Sequence, residues 1–197
     1  MIKPASLKNE LFVVLIPGGL VADGARKLQR AVLQKYDLNK KGKKLPPLHV
    51  TLDRIKKERK MEAARIALKT LQETTGEINI LLEDFTCLKS YENQFLVLRV
   101  KPTDSLLQFS ERLHEKLFQR DISTLDNYEE WKYHITLVNN NFVDSPLSPD
   151  DFNRLCRELS NETNKIISRA KRLEIWRAAS RGENRKYFSL DLRDDKA

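Results

Sequence analysis

The chain has 197 residues, of which 40% are hydrophobic and 32% charged, and its 36 lysines and arginines outnumber 28 acidic residues for a net charge of +8. That is enough apolar material for a real core under a heavily charged surface, and the length suits one medium domain or two small lobes sharing a core. The basic balance favours an anionic partner such as nucleic acid, a nucleotide or an acidic membrane surface. Two cysteines, Cys87 and Cys156, allow one disulfide but no disulfide framework, and they stand in no metal-like spacing. The opening "MIKPASLKNE" lacks an apolar signal-peptide run. The longest apolar stretch, "LFVVLIPGGLVA", is too short to span a bilayer and is broken by Pro17, Gly18 and Gly19. A soluble, cytoplasmic protein with no membrane partner is therefore expected, with the cysteine usage suiting a reducing compartment.

In chain order, "LFVVLI" (Leu11–Ile16) predicts a buried strand ended by Pro-Gly-Gly. From Asp23, Leu28, Val32 and Leu33 fall at helical spacing. A lysine-rich loop with Lys40, Lys41, Lys43 and Lys44 ends in two prolines before the strand "LHVTLDRI". An amphipathic helix follows, with Met61, Ala64, Ile66, Leu68 and Leu71 on its apolar side and a stop at Gly76. "INILLEDFTCL" reads as a strand.

The second half repeats the order. "QFLVLRV" predicts a strand, and the next segment a helix capped by Asp104 or Ser105. "KYHITLV" reads as a strand, and Ser148–Pro149 starts a helix carrying Phe152, Leu155, Cys156 and Leu159. "AKRLEIWRAAS", the turn "RGEN" and "RKYFSLDLR" close the chain as strand, turn and strand. The order strand, helix, strand, helix, strand thus occurs twice, with approximate pseudo-repeats 8–88 and 92–193 and one extra strand. A single domain of two lobes sharing one groove is expected, as a monomer.

Two of the three histidines occupy the same word, "HVTL" at His49 and "HITL" at His134. On a strand, His49 and Thr51 share one face and Leu48, Val50 and Leu52 the other; His134 and Thr136 likewise oppose Tyr133, Ile135 and Leu137. A lone histidine on a half-buried strand is most often structural. Two such words at equivalent places in two equivalent halves point to a shared task. Paired imidazoles titrate near neutrality and can serve as general base and general acid. Threonine hydroxyls can bond phosphoryl oxygens and the charge of a transition state. The arrangement suits in-line displacement at phosphorus. No H-E-x-x-H, Cys/His cluster or acidic metal motif is present in the sequence, so neither metal nor cofactor is expected.

The two His-x-Thr words, the opening "LFVVLIP" and the closing "LEIWRAASRGENRKYFSL" resemble the 2H phosphoesterase superfamily. The chain is most similar to the bacterial RNA 2′,3′-cyclic phosphodiesterase branch, often called 2′-5′ RNA ligase. The resemblance runs over nearly the whole chain. It implies an α+β bilobal fold in which a β-sheet from each lobe lines a central groove, with helices outside. It makes His49 and His134 the catalytic histidines and Thr51 and Thr136 the phosphate-binding hydroxyls. It also implies a phosphodiesterase acting on RNA or nucleotides with cyclic phosphates or 2′-5′ linkages. The family often has Pro before each His, where this chain has Leu48 and Tyr133, and "DRIKK" replaces an apolar-Gly stretch; these departures bear on substrate choice.

Tyr133, Arg177, Arg181 and Tyr187 are the candidate substrate-binding residues, the last three because the closing hairpin is expected to border the groove. The lysine loop is a candidate for contact with an RNA backbone. His114, in "ERLHEKL", reads as a surface or boundary residue, and "GLVADGAR" is no P-loop because Ala25 and Arg26 stand where Lys and Ser/Thr are needed. The reading from another class is an RNA-binding or ligase-like accessory module with little turnover.

Overall fold

The computed structural model describes residues 5–6, 8–38, 47–74, 77–90, 93–139, 147–159, 163–177 and 185–192. The strands are β1 (Glu10–Pro17), β2 (Val50–Lys56), β3 (Asn79–Ser90), β4 (Asn93–Lys101), β5 (His134–Asn139), β6 (Thr163–Arg177) and β7 (Lys186–Asp191). The helices are α1 (Gly19–Lys35), α2 (Lys60–Glu73), α3 (Asp104–Phe118) and α4 (Pro149–Leu159). The order is therefore β1-α1-β2-α2-β3, then β4-α3-β5-α4-β6, then β7. Gly76 and the turn "RGEN" fall outside the described residues.

All strand pairs are antiparallel, in the order β1-β2-β5-β4-β3-β6-β7, and a further β1–β6 pairing closes the first six into a ring. The long β6 makes this closure possible. Its first half pairs with β3, from Thr163 to Arg169, and its second half pairs with β1, from Ala170 to Arg177. One lobe is thus β2-β1-β6-β7 and the other β5-β4-β3-β6.

The lobes are not the two halves of the sequence. Helix α1 follows β1 but packs mainly on β6 and β5, and α3 follows β4 but packs on α2 and β2. These two helices cross from their own strand to the other lobe's sheet, whereas α2 and α4 stay with the lobe of the strand before them. Leu11, Val13, Leu15, Leu173 and Ile175 from one sheet and Leu82, Leu98 and Ile135 from the other are fully or nearly fully buried in a common core. Burying each such side chain is worth about 1.5–3 kcal/mol.

Local signals explain most ends. The chain turns out of β1 at Gly18–Gly19, where Gly19 takes φ +47 and a Cβ on Gly18 would sit 3.0 Å from the Arg169 carbonyl oxygen. This lets α1 start at Gly19, four residues before the predicted start at Asp23. The cap of α3 is Thr103, whose Oγ1 accepts the Leu106 N–H at 3.2 Å, instead of Asp104 or Ser105. Ser105 Oγ accepts the Asn79 N–H instead, tying α3 to β3. Ser148 Oγ accepts the Asp151 N–H at the start of α4. In α2 the buried side is Ala63, Ala64, Ile66, Ala67 and Thr70, while Met61 and Leu68 are exposed.

Cys87 of β3 and Cys156 of α4 form the one disulfide the sequence allows, pinning α4 to its sheet. Among the described residues no helix is long and apolar enough to cross a membrane.

Candidate active site

The two motif strands meet at the centre of the ring, where Val50 pairs with Ile135. Each is the residue after a motif histidine, so the pairing brings both words to one seam. Beyond the seam both strands carry the same irregularity. Val14 pairs with Thr51 and Val13 with Asp53, skipping Leu52; Val97 pairs with Thr136 and Leu96 with Val138, skipping Leu137. The final Leu of each word is therefore a one-residue bulge, which bends the strand and resets its alternation. Up to the bulge, His49 and Thr51, like His134 and Thr136, share a face as alternation requires. Beyond it, Asp53 lies beside Val13 on the core side.

The two imidazoles are held alike. His49 donates its Nδ1–H to the Pro47 carbonyl oxygen at 2.7 Å, and His134 donates its Nδ1–H to the Lys132 carbonyl oxygen at 2.9 Å. Each bond reaches back two residues and fixes the tautomer, because a carbonyl can only accept. Nε2 of each ring has no hydrogen-bond partner among the described residues. Burial pushes the His49 imidazole down to about 4, helped by the charges of His134 and Arg185 and opposed by the Pro47 bond. Burial also lowers His134, opposed by its Lys132 bond. The effect of the His134 charge on His49 places the two rings within electrostatic reach of each other.

Thr51 and Thr136 are half-buried, and neither hydroxyl bonds a described residue. Their cross-strand neighbours Val14 and Val97 are buried. The Trp131 indole N–H donates to the Thr51 carbonyl oxygen at 2.9 Å and anchors β2 from the segment that leads into β5.

Sequence reasoning missed the support behind His49. The ring of His49 lies 4.7 Å from that of Trp176. The Trp176 indole N–H donates to Glu174 Oε2 at 2.6 Å, and Ser189 donates to Glu174 Oε1 at 3.0 Å. Arg172 and Lys186 approach the same carboxylate at 3.1 and 3.5 Å. Glu174, 3% exposed, thus holds Trp176 in place against the imidazole. The Arg185 guanidinium lies 5.4 Å from the Trp176 ring centroid. Alternation along "RLEIW" already sets Arg172, Glu174 and Trp176 on one face; the missing information was which face.

The secondary candidates fare differently. Tyr133 points away from the histidines: it is 7% exposed, and its hydroxyl bonds Ser110 Oγ and the Tyr128 hydroxyl, both at 2.7 Å. It belongs to the helix layer and not to a substrate surface, because it alternates with His134. Arg177 pairs with Leu11, which puts it on the core-side face opposite Trp176. Tyr187 sits under the Lys60 ammonium, 5.1 Å from its centroid, on the side facing α2. Arg181 and Lys40, Lys41, Lys43 and Lys44 lie outside the described residues.

The third histidine lies at the boundary between core and surface, with its side chain 13% exposed. His114 Nδ1 lies 2.8 Å from Asp53 Oδ2, and its ring stacks on Tyr128 at 3.9 Å. Asp53, 1% exposed, also accepts from Ser123 Oγ at 2.7 Å. Burial pushes its carboxyl up, against the pull of His114, Ser123 and its own neighbour's N–H. The cluster locks α3 onto β2 just past the bulge. Among the described residues no group of three or more His, Cys, Asp and Glu side chains could hold a metal ion.

A family model described as the AKAP7 2′5′ RNA ligase-like domain matches residues 11–191. No curated protein matches the chain in sequence. Among solved structures, TT0787 of Thermus thermophilus is similar at 15% identity and TM-score 0.58, covering 93% of this chain and 95% of that one. Kluyveromyces marxianus Usb1, solved with uridine monophosphate, is similar at 13% identity and TM-score 0.54, covering 95% and 100%. The MHV ns2 PDE domain is similar at 16% identity and TM-score 0.52, covering 82% and 97%. These likenesses establish a shared α+β fold.

Proposed function

The chain belongs to the AKAP7 2′5′ RNA ligase-like domain family, within the 2H phosphoesterase superfamily, and on that premise we propose that it is a phosphodiesterase acting on RNA or nucleotides. Its reaction opens 2′,3′-cyclic phosphate ends or cleaves 2′-5′ linkages. The observation that carries this reading is the matched tethering of His49 and His134, each by Nδ1–H to the carbonyl two residues back. Both Nε2 atoms are thereby reserved for substrate, across a seam that joins the two words.

In this scheme the scissile phosphate sits between the rings. His49 is the general base: its depressed pKa keeps Nε2 unprotonated and able to take a proton from the attacking water. The water oxygen bonds to phosphorus as the bond to the leaving oxygen breaks, and protonated His134 gives that oxygen its proton. Thr51 and Thr136 donate to the non-bridging oxygens, where negative charge grows. The uridine monophosphate found with the Usb1 relative and the PDE description of the ns2 relative support a nucleotide phosphodiester as substrate class.

The test is turnover of a 2′,3′-cyclic mononucleotide, a cyclic-phosphate-ended RNA and a 2′-5′ oligoadenylate, with and without EDTA, with product mapping. Hydrolysis that persists in EDTA is expected. Activity lost in EDTA and restored by a divalent ion would overturn the two-histidine scheme, and binding of all three without turnover would favour an RNA-binding role.

A further inference from the structure

A cleft of about 330 Å³ opens beside His49. Its walls include Pro47, whose carbonyl oxygen holds the His49 ring, and Trp176, which abuts that ring. The cleft is therefore continuous with the flank of the proposed catalytic seam. Its other walls include Arg26 and Arg30 of α1 and Arg172 and Glu174 of β6.

Charge sets what this cleft can hold. Glu174 is already engaged by Trp176, Ser189, Arg172 and Lys186. Arg26 and Arg30 are exposed, and neither has a hydrogen-bond or ion-pair partner among the described residues. They stand four residues apart on α1 and so present their guanidinium groups on one side of the helix. Arg172 Nε lies 3.1 Å from Glu174 Oε1 without making a hydrogen bond. Three guanidinium groups against one engaged carboxylate make an anion site, and the forked guanidinium matches phosphate oxygens. Base stacking is not what the cleft offers, because Trp176 is 7% exposed and already contacted by His49 and Arg185.

The arginines are also held at a fixed distance from the chemistry. Gln29, between them on α1 and 2% exposed, donates its side-chain N–H to the Leu137 carbonyl oxygen at 2.9 Å. Leu137 is the bulged residue next to Thr136. The helix that presents Arg26 and Arg30 is thus tied to the second motif strand while facing the approach to the first.

We infer that this cleft is a subsite for a second phosphate of the substrate, the one next along from the phosphate at the two histidines. The protein then takes oligonucleotides or 5′-phosphorylated nucleotides in preference to nucleotides with a single phosphate. This rests on placing the reacting phosphate between His49 and His134.

The test is calorimetric binding of three probes: a nucleoside 3′-monophosphate, a nucleoside 3′,5′-bisphosphate and a 3′-phosphorylated dinucleotide. Each is titrated into the wild type, the Arg26→Gln/Arg30→Gln double variant and Lys69→Gln, a single charge loss on α2 away from the cleft. At least one two-phosphate probe should bind about tenfold more tightly than the monophosphate. Comparing the bisphosphate with the dinucleotide separates a terminal phosphate from an internucleotide one. The double variant should lose most of the advantage, and Lys69→Gln should keep it. Equal affinity for all three probes in the wild type, or an undiminished advantage in the double variant, overturns the inference. Repeating the titrations in His49→Ala separates the two claims: monophosphate affinity reads the placement at the histidines, and the arginine-dependent difference reads the cleft. Because the readout is binding, it stands even where no diester is turned over.

Discussion

Val50 and Ile135 face each other across the seam between β2 and β5, and each directly follows a motif histidine. This one pairing makes two words that lie far apart in the chain into one site. The neighbouring bulges at Leu52 and Leu137 are matched as well. The site is therefore symmetric in backbone and asymmetric in its surroundings, because Trp176, Glu174 and Arg185 stand only on the His49 side.

His49→Ala and His134→Ala should each lower turnover by about 10²–10⁴-fold, since each removes one proton-transfer partner. Steady-state kinetics on a cyclic-phosphate substrate checks this, with circular dichroism to show that the fold is retained. Near-wild-type turnover in either variant would end the two-histidine scheme.

Thr51→Val and Thr136→Val keep the β-branched shape but remove a donor, so turnover should fall by roughly 10–10³-fold. Both hydroxyls are uncommitted within the described protein, so the loss should appear in kcat without loss of stability. Unchanged kinetics in both variants would show that neither hydroxyl meets the phosphate.

The depressed imidazoles predict two pH effects. The kcat/KM profile should be a bell centred on the acid side of neutrality, falling as pH drops through the His49 value of about 4 and as pH rises through that of His134. For stability, the unfolded His49 titrates at about 6.5, so between pH 6.5 and 4 the unfolded chain binds more protons. Stability therefore falls as pH drops through that window, by about 3 kcal/mol from this group. Urea unfolding at the two ends should show the loss, and His49→Gln should reduce it; an unaltered loss would mean that the ring is not desolvated.

Glu174→Ala should destabilise the protein by about 1–3 kcal/mol, because it leaves the buried Trp176 indole N–H without its acceptor, while the partly exposed Arg172 and Lys186 can turn to solvent. It also frees the Trp176 indole, so His49 loses its fixed neighbour. Histidine NMR titration should then show the His49 pKa rising toward its ordinary value. A shift in stability with no shift in that titration would mean that Glu174 does not act on His49 through Trp176.

Reducing the Cys87–Cys156 bond reopens a loop spanning 69 positions, which should cost about 4 kcal/mol by the chain-entropy estimate. Thermal unfolding with and without dithiothreitol, against Cys156→Ser, measures it. Equal melting temperatures in the oxidised and reduced protein would show that the bond adds nothing to stability.

What the sequence determined by itself is what local physics can write. The period-two alternation of "HVTL" and "HITL" set His and Thr on one face, the Pro-Gly-Gly stop ended β1, and Ser148–Pro149 started α4. Together with the resemblance of the two words, these led to the α+β fold and the family. What only the tertiary structure decided depends on partners far along the chain. The face of a strand that meets the core is set by the opposing strand's register, so Tyr133 and Arg177 turned away from the histidines while Trp176 and Glu174 turned toward them. The bulges at Leu52 and Leu137 exist only in relation to β1 and β4. His114 became the partner of the buried Asp53 because α3 crosses to the other lobe, a crossing that no helical period encodes. Alternation is carried by neighbouring residues and can be read from them; register and helix placement are settled by the competition of all surfaces for burial, and emerge only when the chain is closed into its ring.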